Sequence, residues 1–213
     1  MGKKEDVIKE EKEEIVETPK KKATRKAKKK TPAQIRKILK DSEAIIINNS
    51  DGSGVYYRDD ITGIEIDLPA YGDTDVVEIE VLRKLNVKSK SFFKNYWLLI
   101  IDFMCDDETI TLDDVYDYVG ISKFYKSFGE LKEYEDDMPN EDYFEDLLLE
   151  KSTREFKKVL EKMNKELLTQ LFNRAVTLYK EGKFSDSFKI MALEEKTNRE
   201  EFFRDIKIED EDK

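Results

Sequence analysis

The chain has 213 residues, with 39 Lys and Arg against 49 Asp and Glu, a formal net charge of −10, one cysteine and no histidine. Without histidine there is no Ser-His-Asp or Cys-His catalysis and no histidine-bearing zinc site, and a lone Cys105 makes neither an internal disulfide nor a cysteine-paired zinc knuckle. Charged residues at 41% still leave 38% apolar residues, enough for a buried core in one domain or two small ones.

The charge is unevenly placed. Residues 1–19 carry −3, residues 20–31 carry +8, and by difference from −10 residues 32–213 carry −15. The opening "EDVIKEEKEEIVE" offers too few apolar residues to hold a helix alone. The run "PKKKATRKAKKKTP" follows, with Lys20, Lys21, Lys22, Arg25, Lys26, Lys28, Lys29 and Lys30 and no acid among them. Like charges in a block repel and keep the chain extended, so residues 1–31 are expected to form a disordered basic arm.

The next segment, "TPAQIRKILKDSE", opens with Thr31 as N-cap and Pro32 at the first helical position. Then "AIIINN", "VYYR" and "IEIDLP" are short β-branched or aromatic runs. The turn-rich "SDGSG" and "DDITG" separate them, as hairpins require. A helix is expected near 78–85 and a buried strand near 96–101. The apolar stretch "YWLLIIDFM" falls well short of the roughly 20 residues that cross a bilayer, and the N-terminus lacks the apolar core of a signal peptide. With the lone cysteine, this points to a soluble protein of a reducing compartment.

Helices dominate from Thr111 onward. "TLDDVYDYVGI" has Thr111 and Asp114 placed as a capping box and Gly120 as a stop. "GELKEYEDDMPNEDYFED" is acidic and turn-rich and reads as a surface linker. From Ser152, apolar residues recur every three or four positions through Leu178, a helix broken near Asn164. "EGKFSDS" then turns the chain into a second helix. The fold class is α+β: a small antiparallel sheet module followed by a helical C-terminal region with a helical hairpin. The divisions are an arm at 1–31, an α+β domain at 32–129, an acidic linker at 130–151 and a helical region with an acidic tail at 152–213.

Four motifs bear on function. The basic run can release counterions from phosphate, giving binding without sequence preference, since its Ala and Thr spacers read no bases. An acidic body repels phosphate, so any nucleic acid would be held by the arm. "NNSDGSGVYYRDD" imitates a calcium loop when counted from Asn49, but the flanks read as strands and the last position lacks the usual Glu, so a hairpin turn is the better reading. The acids Asp102, Asp106, Asp107, Glu108, Asp113 and Asp114 follow a strand end as in Mg²⁺ sites, yet no Lys or Arg lies within that stretch to position a phosphate. "NRAVTLYKEGKFSDSFKI" has the Ala175, Tyr179 and Gly182 spacing of half a tetratricopeptide repeat, but no second copy follows about 34 residues away. Tyr56, Tyr57, Phe92, Phe93, Tyr96 and Trp97 are the aromatics available for stacking or for the core. No cofactor and no metal site is expected.

The order "YGDTDVVEIEVLRKL", "KSFFKNYWLLI", "YDYVGISKFY" and "LFNRAVTLYKEGKFSDSFKIMALEEK" resembles small proteins from the virion-structure regions of tailed bacteriophages, over residues 43–197. The resemblance rests on aromatic and glycine placement and carries no catalytic residue. It implies a non-enzymatic component of a capsid, neck, tail or baseplate. Such a component works in many copies among other virion proteins and is assembled in the host cytoplasm, with no membrane partner. The arm's eight cations would then dock on an acidic protein or on packaged DNA. The alternative from a different class is a nucleic-acid-associated regulatory protein anchored electrostatically by the same arm.

Overall fold

The structure, a computed structural model, describes residues 30–129 and 143–206. It is α+β, with a small antiparallel sheet followed by C-terminal helices.

Helix α1 (Pro32–Lys40) starts where the sequence places it. The Thr31 hydroxyl accepts from the Gln34 backbone, and the Gln34 side chain accepts from the Thr31 backbone. Strand β1 (Glu43–Asn48) is the centre of a three-stranded antiparallel sheet, between β4 (Thr74–Glu78) and β5 (Leu98–Met104). Its register against β5 shifts between Ile45 and Ile46, which face Asp102 and Ile100 in turn, so Ile101 is the extra residue of a bulge. Ala44, Ile46 and Ile47 are buried, as befits a strand covered on both sides.

Strands β2 (Val55–Arg58) and β3 (Glu65–Leu68) form a separate hairpin. Val55 and Tyr57 face Leu68 and Ile66 on its buried side, the alternation that the sequence shows. The "DDITG" turn closes this hairpin, with Gly63 at φ 71° donating its N–H to Asp59. The "SDGSG" segment differs from expectation. It is no hairpin turn, because β1 pairs with β4 and β5 rather than with β2. The reason is Asn48, which is fully buried. Its side-chain amide donates to the carbonyls of Ser53, Leu68 and Ala70, and its oxygen accepts from the Ser50 N–H. The loop is thereby a polar hub that fastens the hairpin beside the sheet.

Helix α2 (Ile79–Lys88) runs on from β4 and buries Ile79, Val81, Leu82 and Leu85. A single turn, α3 (Ser91–Lys94), leads into β5. Helix α4 (Leu112–Val119) has the anticipated capping box of Thr111 and Asp114 and stops at Gly120, whose φ of 83° suits glycine. Helix α5 (Ser122–Gly129) follows.

After the undescribed 130–142, α6 (Tyr143–Glu145) passes into a π-helical turn, Asp146–Glu150. These residues depart from the exposed linker that their charge suggests. Tyr143, Phe144, Leu147 and Leu148 are all buried, because spacings of one and four gather them on one helical face, while Glu145 and Asp146 are partly covered and Glu150 is exposed. Helices α7 (Thr153–Lys162) and α8 (Lys165–Lys180) are separated at Asn164, which caps α8 through the Leu167 N–H. Helix α9 (Ser187–Thr197) returns after the Gly182 turn and lies against α7, with Lys189 over the Phe156 ring and Thr153 bonded to Asp186. A short 3₁₀ turn, Phe203–Asp205, closes on α8 through Phe203 against Phe172 and Tyr179.

Polar contacts tie these helices to the sheet region. The Asn164 amide donates to the Tyr96 hydroxyl at 2.7 Å, and Gln170 donates to the Asn95 carbonyl at 3.1 Å. Buried apolar residues from Leu39 to Phe203 belong to one hydrophobic cluster.

Candidate functional site

Of the eight arm cations singled out in the sequence, Lys20 to Lys29 lie outside the described residues, and Lys30 lies within them. Its ammonium sits 2.5 Å from the Asp107 carboxylate and donates to the Thr109 hydroxyl at 2.6 Å. Both side chains are about three-quarters covered. Asp107 is shaped for this contact by its own loop, since its other oxygen accepts from the Thr109 N–H at 3.1 Å and the Thr109 hydroxyl at 2.7 Å. The Lys30 ammonium, followed by Thr109, holds the Asp107 carboxyl down to about 2. The stretch 102–114 contains no base, but the fold delivers one from the arm. There the Lys30 ammonium pairs its charge with the Asp107 carboxylate.

The remaining acids of that stretch are spread out rather than gathered. Asp102 accepts from the Phe103 N–H and Asp114 is used by the α4 cap. Among the described residues no group of three or more Asp, Glu, Cys or His converges as a metal site would. A cleft of about 390 Å³ does open beside Asp107, lined by Asp41, Glu43, Glu78 and Asp106, with Lys40 the one base on its wall. Glu43 and Glu78 are direct cross-strand partners on β1 and β4, an arrangement of like charge that costs stability unless a cation comes near.

The calcium-loop imitation resolves differently. Asp51 turns away from the loop and meets Arg174 on α8 at 3.0 Å and the Thr177 hydroxyl at 3.0 Å. Arg174 also pairs with Glu145 and lies 4.3 Å from the Tyr71 ring centre. Burial disfavours the Arg174 charge, but Glu145 and Asp51 more than offset it and raise the pKa. The Asp51 carboxylate therefore serves a brace between sheet and helices.

Of the aromatics considered for stacking, Tyr56 is exposed, whereas Tyr57, Phe93 and Tyr96 are buried and Phe92 and Trp97 are packed against the core. The sequence reading missed a different pair. Phe188 and Met191 on α9 are 65% and 63% exposed, one turn apart. A cleft of acids, with Glu194, Glu195, Glu200 and Glu201, surrounds Met191. The signal was legible in "SFKIMALEEK": Lys189, Ala192 and Leu193 already supply the buried stripe, which leaves Phe188 and Met191 as apolar residues on the other face. No helix among the described residues is long and apolar enough to cross a membrane.

Comparison of the chain with protein-family models, with curated proteins and with solved structures finds no match in any of the three.

Proposed function

We propose that the protein is a non-enzymatic bacteriophage virion structural or assembly protein, working in many copies through protein–protein contacts. Its basic arm docks on an acidic protein surface, a neighbouring copy's body first among them, with packaged DNA as the competing target. The observation that carries this reading is Lys30 on Asp107: the acidic body accepts an arm cation in a paired, partly covered site. Seven more cations of the basic run precede Lys30, and the body offers further acids in the cleft of Asp41, Glu43, Glu78 and Asp106 and around Met191 on α9. Lysine stems can cover Phe188 and Met191 while their ammonium groups meet the surrounding glutamates. The virion assignment itself is supported by the sequence resemblance over residues 43–197.

Mass spectrometry of purified tailed-phage particles that encode the chain tests the assignment. The chain is expected in stoichiometric amounts relative to a known tail or capsid protein. Its absence from washed particles sinks the virion reading.

A further inference from the structure

The start of α8 and the end of α9 enclose a groove of about 460 Å³ whose walls carry Lys165, Lys196 and Arg199 and no carboxylate. This is unexpected on a body of charge −15. All three cations are exposed, and none forms an ion pair with a described residue. The groove's floor is apolar, from Met163, Leu168 and Phe172. Its shape is held by local backbone. Asn198 adopts φ 53° as the cap of α9, and the Arg199 N–H returns to the Glu194 carbonyl at 2.9 Å. That turn stacks the Arg199 guanidinium 4.5 Å from the Phe172 ring centre, on the wall of the groove.

We propose that this groove binds a short acidic peptide segment of a partner protein, with carboxylates on Lys165, Lys196 and Arg199 and an apolar side chain on the Phe172 floor. The contact is independent of the arm although both are cationic: the arm seeks acids on a neighbouring body, and the groove seeks them on a partner's peptide. A nucleic-acid backbone fits poorly. It would carry phosphates past Glu166, Glu195 and Glu200, each adjacent in sequence to one of the three cations. A peptide with one or two carboxylates beside a Leu or Phe meets the cations and ends before those glutamates.

The test uses the full chain and a fluorescein-labelled short peptide with two glutamates flanking one leucine, read by anisotropy. A peptide with glutamine for glutamate is the control. Saturable binding of the glutamate peptide is expected, weakened by salt and lost with the control. The variant K165Q/K196Q, both sites being exposed, is expected to keep its melting temperature and lose about tenfold in affinity, the sum of two surface charge contacts. Equal binding of the two peptides, or no change in K165Q/K196Q, overturns the proposal. So does duplex DNA that displaces the peptide in wild type but not in K165Q/K196Q. Neutralising the chain's own acids, E209Q/D210N/E211Q/D212N, separates a partner from an internal occupant. Unchanged affinity supports a partner, and a several-fold gain overturns it in favour of the chain's own tail.

Discussion

Arg174 on α8 and Asp51 in the β1–β2 loop meet at 3.0 Å across 123 residues of sequence. Their side chains are 13% and 7% exposed, and Glu145 shares the guanidinium. Removing one member of such a buried set leaves uncompensated charge. Arg174→Met is expected to cost about 3 kcal/mol of unfolding free energy. Asp51→Asn, which keeps a hydrogen-bond acceptor, is expected to cost less. Urea denaturation measures both, and a loss under about 0.5 kcal/mol for Arg174→Met contradicts the brace.

Lys189 gives a pH-dependent expectation. It is 3% exposed, and its ammonium donates to the Leu148 carbonyl in the π-helical turn at 2.6 Å. Burial lowers its pKa, with Asp186 and Glu150 only partly opposing. The folded pKa lies below the unfolded one of 10.5, so between them the unfolded chain binds more protons and stability rises with pH. Burial raises the pKa values of Tyr116 and Tyr125, so their ionisation in the unfolded chain works the other way above about pH 10. Denaturation from pH 7 to 10 should show a rising limb in wild type that Lys189→Met flattens.

The hairpin tip depends on Asp59, which is fully buried and accepts from Thr62 at 2.7 Å and Lys88 at 2.9 Å. Those two bonds, Thr62 first, pull its pKa well below the usual carboxylate range. The stability they give is present above pH 3.8 and is lost as pH falls toward the folded value. Lys88→Met raises the folded pKa, so acid unfolding is expected to begin at a higher pH, read by far-UV circular dichroism. An unchanged acid midpoint argues against the Lys88 contact.

Local chemistry was legible and long-range pairing was not. The caps at Thr31 and Thr111, the stop at Gly120 and the break at Asn164 follow from short-range hydrogen bonding, and all are in place. The partner of β1 carries no local signature, so "SDGSG" passes for a hairpin turn until Asn48 is seen buried among three carbonyls. Likewise, the acids of 141–146 mask the buried spacing of Tyr143, Phe144, Leu147 and Leu148. Of the candidate site, the cations themselves were readable, while the Asp107 seat of Lys30 is a contact across 77 residues that only the fold creates.

Phe188 and Met191 separate contact from stability. Both are mostly exposed, so Phe188→Ser with Met191→Ser is expected to shift unfolding free energy by less than about 0.5 kcal/mol each. The double variant is expected to weaken association between copies in a concentration series by size-exclusion chromatography. Normal association with normal stability removes α9 from the contact surface.

The arm's role is tested most directly by sedimentation velocity of the full chain beside a variant with glutamine at Lys20, Lys21, Lys22, Arg25, Lys26, Lys28, Lys29 and Lys30. The full chain should sediment as an associated species at about 50 mM salt and as a monomer at about 1 M, where charges a few Å apart are screened. The neutralised variant should remain monomeric at both. Identical sedimentation of the two proteins at low salt would contradict docking of the arm on a neighbouring acidic body.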